Sequence, residues 1–218
     1  MLQNKVWDKK FSKNTAKYPS ENLIIFIAKN FFQIKNRKQI KILEIGSGGG
    51  ANLLFLSKEG FDVFGIDGSE VAIKKSKKLF DSEKSSVNLC LGDISHLNYE
   101  DNFFDLVIDN ECLYSNDTKS SIKIISEIKR VLKTNGLFYS RTFSLDTYKG
   151  SPKKINKYEF RDSVDGPFAN TGLFRLSDSN SINEIYGTQL NILSIDKFIH
   201  TRNNGKMKIS ELVIVSKK

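Results

Sequence analysis

The sequence predicts an α/β fold in which a mostly parallel β-sheet is covered by helices on both faces. Short apolar segments alternate with amphipathic ones at the spacing of strand–helix–strand units. A glycine-rich turn follows the first apolar segment, where a strand would pass into a helix. The last two apolar segments flank Asn203-Asn204-Gly205, which is typical of a β-hairpin. The sheet is therefore expected to end in an antiparallel pair.

Periodicity and end signals place the individual elements. The strands are expected at Ile40–Gly46, Phe61–Asp67, Ser86–Asp93, Phe103–Asn110 and Gly136–Ser144. The helices are expected after Pro19-Ser20 through about Phe31, at Ala51–Glu59, from the cap Ser69 to about Phe80, and from about Ile122 to a stop at Asn135-Gly136.

One domain is expected over residues 1–218, with residues 1–38 as an N-terminal helical cap. Residues 145–176 are expected to be a substrate-side insertion or lid. Within them, Lys149–Gly172 is polar, weakly periodic and carries Pro152 and Pro167. Loops of this length in a compact domain tend to be functional or mobile.

Composition excludes several classes of protein. The apolar fraction is 39%, and the longest apolar run, Leu23–Ala28, is too short to cross a bilayer. The N-terminal residues have no apolar core typical of a signal peptide. Cys90 and Cys112 lack metal-ligand spacing and are predicted to be buried free thiols. We therefore expect a cytoplasmic protein with no membrane span and no bound metal.

The net charge of +9 is carried mostly by scattered lysines, of which Lys74–Lys78 is the densest cluster. That cluster falls on a predicted helix and is interpreted as a solvated face. The positive charge is compatible with binding to nucleic acid or to an anionic substrate. Clustered arginines and a stacking surface for RNA are missing from the sequence, however.

The segment Leu43–Ser69 predicts a nucleotide-type site. A strand enters a glycine turn and then a helix N-terminus, which presents free N–H groups. Asp67 follows 21 positions after Gly46, at the end of the next strand, where its carboxylate can bind both ribose hydroxyls. This arrangement fits NAD as well as a nucleoside cofactor. Two details disfavour NAD: the glycines depart from G-x-G-x-x-G, and Glu44 would repel a pyrophosphate.

The E-x-G-x-G-x-G sequence at Glu44–Gly50 resembles the S-adenosylmethionine (SAM) site of class I methyltransferases. The resemblance implies a Rossmann-like fold with a central seven-stranded sheet and an antiparallel last strand. It also implies that SAM is the cofactor and S-adenosylhomocysteine (SAH) the product. Asp67 then binds the ribose, and Asp93 and Ile94 flank the adenine. The cofactor-binding residues implied in this way are Glu44, Gly46, Ser47, Gly48, Gly50, Asp67, Gly68, Ser69, Asp93, Ile94 and Asp109.

The residues at the end of the fourth strand argue against some classes of methyl acceptor. That strand ends in Asp109-Asn110-Glu111-Cys112, without the N/D-P-P-Y/F sequence of adenine or glutamine-amide methyltransferases. A hydroxyl acceptor needs its proton removed, and Asp109 and Glu111 are the candidate catalytic bases. Each also has a simpler interpretation, since Asp109 could bind the methionine part of SAM and Glu111 could be a solvated loop residue.

Several segments resemble small-molecule methyltransferases of bacterial surface-polysaccharide biosynthesis, among them W-D-x-x-F at Trp7–Phe11 and GPFANTG at Gly166–Gly172. The resemblance implies transfer to a hydroxyl, less readily an amine, of a sugar or sugar nucleotide. Arginines near the site would suit a phosphorylated or acidic acceptor. The substrate-binding candidates are Trp7, Tyr18, Tyr114, Arg141 and Arg175.

Three alternatives stay open. The acceptor could be RNA or protein, for which the positive charge is the reason. The chain could bind SAM without catalysis. An NAD-dependent oxidoreductase is the third.

Overall fold

A seven-stranded sheet forms the centre of the molecule. The computed structural model describes residues 2–13 and 15–218. The strand order is β3-β2-β1-β4-β5-β10-β9. The strands of this sheet are β1 (Lys41–Ile45), β2 (Asp62–Asp67), β3 (Asn88–Leu91), β4 (Phe104–Asn110), β5 (Leu132–Phe143), β9 (Asn191–Arg202) and β10 (Met207–Lys217).

The predicted fold class is confirmed. Strands β1 to β5 pair in parallel, whereas β10 runs antiparallel to both β5 and β9. The turn between β9 and β10 contains Asn203, Asn204 and Gly205, all with positive φ. Asparagine and glycine tolerate this left-handed conformation, which explains why they mark the hairpin in the sequence.

Helices cover both faces of the sheet. They are α1 (Leu2–Lys13), α2 (Glu21–Phe31), α3 (Ala51–Lys58), α4 (Glu70–Glu83), α5 (Thr118–Val131) and α6 (Ser179–Ile182), which continues as a π-helical turn to Gly187. Adjacent strand residues alternate between the two layers: Ile42 packs with α2 and α3, and Leu43 packs with α5. This double burial explains the continuous apolar runs of the central strands. None of the helices in the described part of the chain is long and apolar enough to cross a bilayer.

The junction between α5 and β5 differs from the prediction. The helix ends at Val131, and β5 already begins at Leu132, which pairs with Phe104. The register then shifts before Leu137, and Asn135 takes φ 66° within the irregularity. The Asn135-Gly136 pair therefore marks a strand irregularity and not the end of the helix.

Residues 145–176 form an ordered layer beside the sheet. They contain a small antiparallel sheet of β6 (Lys153–Lys154), β7 (Glu159–Arg161) and β8 (Leu173–Arg175). Phe168 is fully buried and stacks on Phe174 at 4.3 Å between ring centroids. The same aromatic cluster contains Tyr114 and Phe143, which belong to the main domain. The insertion is thus packed against the ends of β4 and β5.

Both cysteines are free thiols, as predicted. The prediction that they are buried is wrong, because both are half-buried. Cys90 lies on the short edge strand β3, and Cys112 lies in the loop after β4, where it lines the cleft described below.

Candidate functional site

A cleft of about 540 Å³ opens at the carboxyl ends of the parallel strands. This is where ligands bind in open α/β sheets. The volume lies within the range of small-molecule sites. The cleft is lined by Trp7, Phe11, Gly46, Asp67, Gly68, Ser69, Glu70, Leu91, Gly92, Asp93, Ile94, Glu111, Cys112, Ser115 and Asn116.

The glycine turn after β1 forms one wall. Gly46 has φ +61°, and a Cβ there would lie 2.3 Å from Sγ of Cys112, so only glycine fits. Gly50 also has positive φ, but its Cβ would meet the ring of Phe80 at 2.6 Å. Close packing of the turn against α4 therefore explains Gly50. Glu44, Ser47, Gly48 and Gly50 do not line the cleft themselves.

Asp67 is fixed at the end of β2. Its Oδ2 accepts a hydrogen bond from the Gly48 N–H at 2.8 Å, and its Oδ1 accepts one from the Ser69 N–H at 2.8 Å. Each carboxylate oxygen keeps a second lone pair for a ligand. Burial raises the pKa of Asp67 above its ordinary value. The side chain is thus held at the cleft wall with acceptor capacity to spare.

Ser69 serves mainly as a helix cap. Its hydroxyl accepts a hydrogen bond from the Ala72 N–H at the start of α4 and donates one to Asp8 of α1. Lys75 Nζ also donates to the carbonyl of Phe11. These contacts hold α1 across the mouth of the cleft, where Trp7 and Phe11 line it.

Glu44 is buried behind the glycine turn with half of its carboxylate unsatisfied. Its Oε1 accepts a hydrogen bond from Asn52 Nδ2 at 2.6 Å, whereas Oε2 has no partner. Burial, aided by the charges of Asp67 and Asp109, raises the pKa of Glu44 to about 8. A buried acceptor without a donor is costly, so the site favours a ligand that brings a cationic donor.

Asp93 and Ile94 lie at the far end of the cleft, after β3. Asp93 Oδ1 accepts a hydrogen bond from the Ser95 N–H at 2.8 Å, which orients the carboxylate. Leu91 is 50% exposed and adds an apolar surface beside them. A planar ring with an exocyclic donor suits this combination.

Asp109 does not line the cleft. It is fully buried and accepts hydrogen bonds from the N–H groups of Cys112 and Leu113 and from the hydroxyl of Ser140. Ser140 in turn contacts the hydroxyl of Tyr186 at 3.0 Å. Burial raises the pKa of Asp109 despite these donors. Asp109 therefore holds the loop after β4, and the geometry does not favour it as the catalytic base.

Glu111 projects into the cleft from a strained backbone position. Its φ is 62°, a left-handed conformation that is uncommon for a residue other than glycine and that the surrounding structure must hold. Its Oε1 lies 3.1 Å from Nη2 of Arg141, and the side chain keeps 29% exposure. Burial raises the pKa of Glu111, while the Arg141 charge opposes the rise.

Arg141 is already neutralised by carboxylates. Its Nε and Nη2 donate to the two oxygens of Glu211 at 3.1 and 2.7 Å, in addition to the ion pair with Glu111. Its Nη1 donates to the hydroxyl of Ser20. The expected role of Arg141 in binding an acidic substrate is not supported by this geometry, because two carboxylates occupy its guanidinium group.

Three other predicted substrate residues lie outside the cleft. Arg175 is fully buried and donates to the carbonyls of Leu113 and Asn116, so it supports the loop that bears the site. Tyr114 is buried in the aromatic cluster under the insertion. Tyr18 is 74% exposed. Trp7 is the predicted substrate residue that the structure brings into the cleft.

Comparison with known proteins identifies the family. Residues 36–185 match the model of a family described as a methyltransferase domain. The chain belongs to this methyltransferase family. Three uncharacterized methyltransferases of Schizosaccharomyces pombe are each 33% identical over 103 residues, which is 47% of this chain and 71% of each relative.

Solved structures share the fold. A SAM-dependent methyltransferase from Methanosarcina mazei superposes with a TM-score of 0.70 at 22% identity, covering 86% of this chain and 97% of that one. A second SAM-dependent methyltransferase, from Clostridium acetobutylicum, superposes with a TM-score of 0.65 at 19% identity, covering 98% of this chain and 91% of that one. The chain is a SAM-dependent methyltransferase of class I, and SAM is its cofactor.

The residues of the methyltransferase fit this cofactor. SAM carries an ammonium group and a sulfonium group, and the buried Glu44 carboxyl with its unpartnered Oε2 favours positive charge on the other side of the glycine turn. The charges of Glu44, Asp67 and Asp109 act on one another, so their combined field favours a cation. When bound, the cofactor supplies an electrophilic methyl group. The described residues contain no cluster of histidine, cysteine and carboxylate side chains able to hold a metal ion.

Sequence reasoning missed part of the methyltransferase site. Phe11, Cys112, Ser115 and Asn116 line the cleft, and Glu211 anchors Arg141 from the last long strand. The position of Cys112 directly after a strand that ends at the ligand edge could have indicated a site residue. Nothing local to Glu211 signals its contact with Arg141, which lies 70 positions earlier.

Proposed function

We propose that the methyltransferase transfers a methyl group to a hydroxyl or amine of a small molecule, with Glu111 as the base that accepts the proton of the acceptor. The observation that carries this proposal is the position of Glu111, a strained and partly exposed carboxylate on the cleft wall. Burial raises the pKa of Glu111, which makes its carboxylate a stronger base. Asp109 is fully buried and does not line the cleft, so it is not assigned this role.

The cofactor contacts follow from the same geometry. Asp67 binds the ribose hydroxyls with the lone pairs that its backbone contacts leave free. Asp93 and Ile94 bind the adenine, and the negative charge of Glu44, from behind the glycine turn, favours the ammonium group. Trp7 and Phe11 cover the cleft and exclude water, which favours alignment of the reacting atoms.

For the acceptor we favour a sugar, on the basis of the resemblance around Trp7–Phe11 and Gly166–Gly172. The ordered insertion, packed against the ends of β4 and β5, supports a substrate boundary on that side. A phosphorylated or acidic sugar is not favoured, because Arg141 is paired with two glutamates and Arg175 is fully buried.

Calorimetric titration with SAH tests the proposal, with NAD as the control ligand. We expect micromolar binding of SAH and no measurable binding of NAD, since Glu44 and the glycine spacing disfavour a pyrophosphate. Binding of NAD in place of SAH would contradict the proposal.

SAH binding is expected to release a proton at pH 7. The Glu44 carboxyl, with a pKa of about 8, is mostly protonated in the free protein, and the positive charge of the ligand ammonium group favours its ionised form. Affinity should therefore rise as the pH increases from 6 to about 8. Calorimetry in two buffers of different ionisation enthalpy measures the released proton. In Glu44→Gln the release should disappear, and an unchanged release would contradict this assignment.

A further inference from the structure

The cleft is acidic in a strongly basic protein. Among the described residues that line it, the charged ones are Asp67, Glu70, Asp93 and Glu111, and none is a lysine or arginine. The chain as a whole carries a net charge of +9. Asp67 and Asp93 face the cofactor, and Glu70 pairs with Lys74 at an exposed position. Glu111 is therefore the charge that an acceptor meets.

Three basic side chains near the cleft are engaged elsewhere. Arg141 is held by Glu211 and Glu111 at 2.7 and 3.1 Å. Arg175 is fully buried behind the loop after β4, and Lys75 donates to the carbonyl of Phe11. An anionic acceptor would thus meet the carboxylates of the cleft lining, with the Lys10 ammonium group at the edge of the cleft as a nearby cation.

A side-chain ammonium group already occupies one edge of this region. Lys10 Nζ lies 4.7 Å from the centroid of the Trp7 ring, a cation–π distance. Its charge also interacts with Glu111. An aromatic face beside a carboxylate is a recognised arrangement for binding organic cations. Lys10 of α1 therefore occupies a position of the kind that a ligand ammonium would take.

We propose that the acceptor is an amine whose ammonium group is recognised between the Trp7 ring and the Glu111 carboxylate. This inference rests on the proposed function and narrows its acceptor from a hydroxyl or amine to an amine, which includes an amino sugar. Glu111 takes one proton from the ammonium group and later passes it to water. The freed nitrogen lone pair forms the bond to the methyl carbon while the carbon–sulfur bond breaks, and that electron pair stays on sulfur. The products are a methylated ammonium ion and SAH.

Cation recognition can be tested with choline and its neutral isostere 3,3-dimethyl-1-butanol on SAH-saturated protein. Trp7 is the single tryptophan of the chain, so its fluorescence reports binding directly, and calorimetry gives the affinity. We expect choline to bind at least tenfold more tightly than the isostere. Glu111→Gln should abolish this preference, and Lys10→Met should strengthen choline binding severalfold by removing the internal competitor.

Glu184→Gln is the matched control, because it removes the same charge from an exposed helical turn. It should leave the choline preference unchanged. Equal binding of choline and the isostere, or tighter binding of acetate, with SAH affinity intact would overturn the amine inference and leave the methyltransferase proposal standing. Failure of the protein to bind SAH would instead overturn the proposed cofactor site, and the amine inference with it.

Discussion

Replacing Asp67 with alanine is expected to weaken SAH binding by at least about 100-fold. Two hydrogen bonds from ribose hydroxyls to a carboxylate are lost, and hydrogen bonds to charged groups contribute about 1.5–3 kcal/mol each. Since about 1.4 kcal/mol corresponds to a tenfold change in Kd, the combined loss exceeds two orders of magnitude. The substitution also frees the N–H groups of Gly48 and Ser69, which loosens the cofactor loop. Calorimetric titration with SAH measures the effect.

Asp62→Ala provides the control for Asp67→Ala. Asp62 begins the same strand, at the opposite edge of the sheet from the cleft, so both variants remove one carboxylate from β2. The control should bind SAH as the wild type does. Thermal denaturation of both variants without ligand shows whether the fold persists. A folded Asp67→Ala protein with wild-type SAH affinity would refute the ribose contact.

Contacts that depend on strand order could be predicted from the sequence. Gly46, Asp67 and Asp93 each lie at or just after the carboxyl end of a parallel strand, and such ends meet at one edge of the sheet. Their spacing therefore brings them together once the strands are assigned. The same reasoning places Glu111, which follows β4 directly.

Contacts that depend on side-chain direction could not be predicted in this way. The sequence places Arg141 near the end of β5 and so near the site. Its partner Glu211 lies on β10, and the register of β10 with β5 is set by tertiary packing. Asp109 and Glu111 are two positions apart, yet one faces the interior and the other the cleft because the backbone changes direction after β4. A sequence pattern alone does not reveal that change.

The small sheet of the insertion also escaped prediction. Its strands are only two or three residues long, which is too short to produce a periodic signal. Phe160, Phe168 and Phe174 nevertheless order the segment by packing with Phe143 and Tyr114. Polar composition, weak periodicity and two prolines predicted an insertion or lid, and spaced aromatic residues provide the buried contacts that order it. The burial of these aromatic rings thus orders the insertion despite the local preference of its sequence for turns.

Glu111→Gln is expected to reduce methyl transfer by about 100-fold or more while SAH affinity stays within a few-fold of the wild type. General-base catalysis contributes about 10²–10⁴ in rate, and glutamine keeps the size of the side chain without its basicity. The measurement is SAH formation from SAM, with any amine or sugar that the wild type methylates as the acceptor. Glu184→Gln again controls for the change in charge. Equal loss of SAH binding in Glu111→Gln would show a role in holding the cofactor instead.

The pH dependence of methyl transfer tests which neighbouring charges set the pKa of Glu111. Burial raises its pKa, so the carboxylate form that accepts a proton is lost on acidification at a higher pH than for an ordinary glutamate. The charge of Glu211 contributes to that rise, whereas Arg141 opposes it. Glu211→Gln should therefore lower the pKa of Glu111, because it removes a like charge and leaves Arg141 to pair with Glu111 alone. Carbon-13 NMR titration of the glutamate carboxyl groups measures the shift without an acceptor. The acid limb of the rate profile should move in the same direction, and an unmoved or raised midpoint would show that Glu211 merely supports the strand pair.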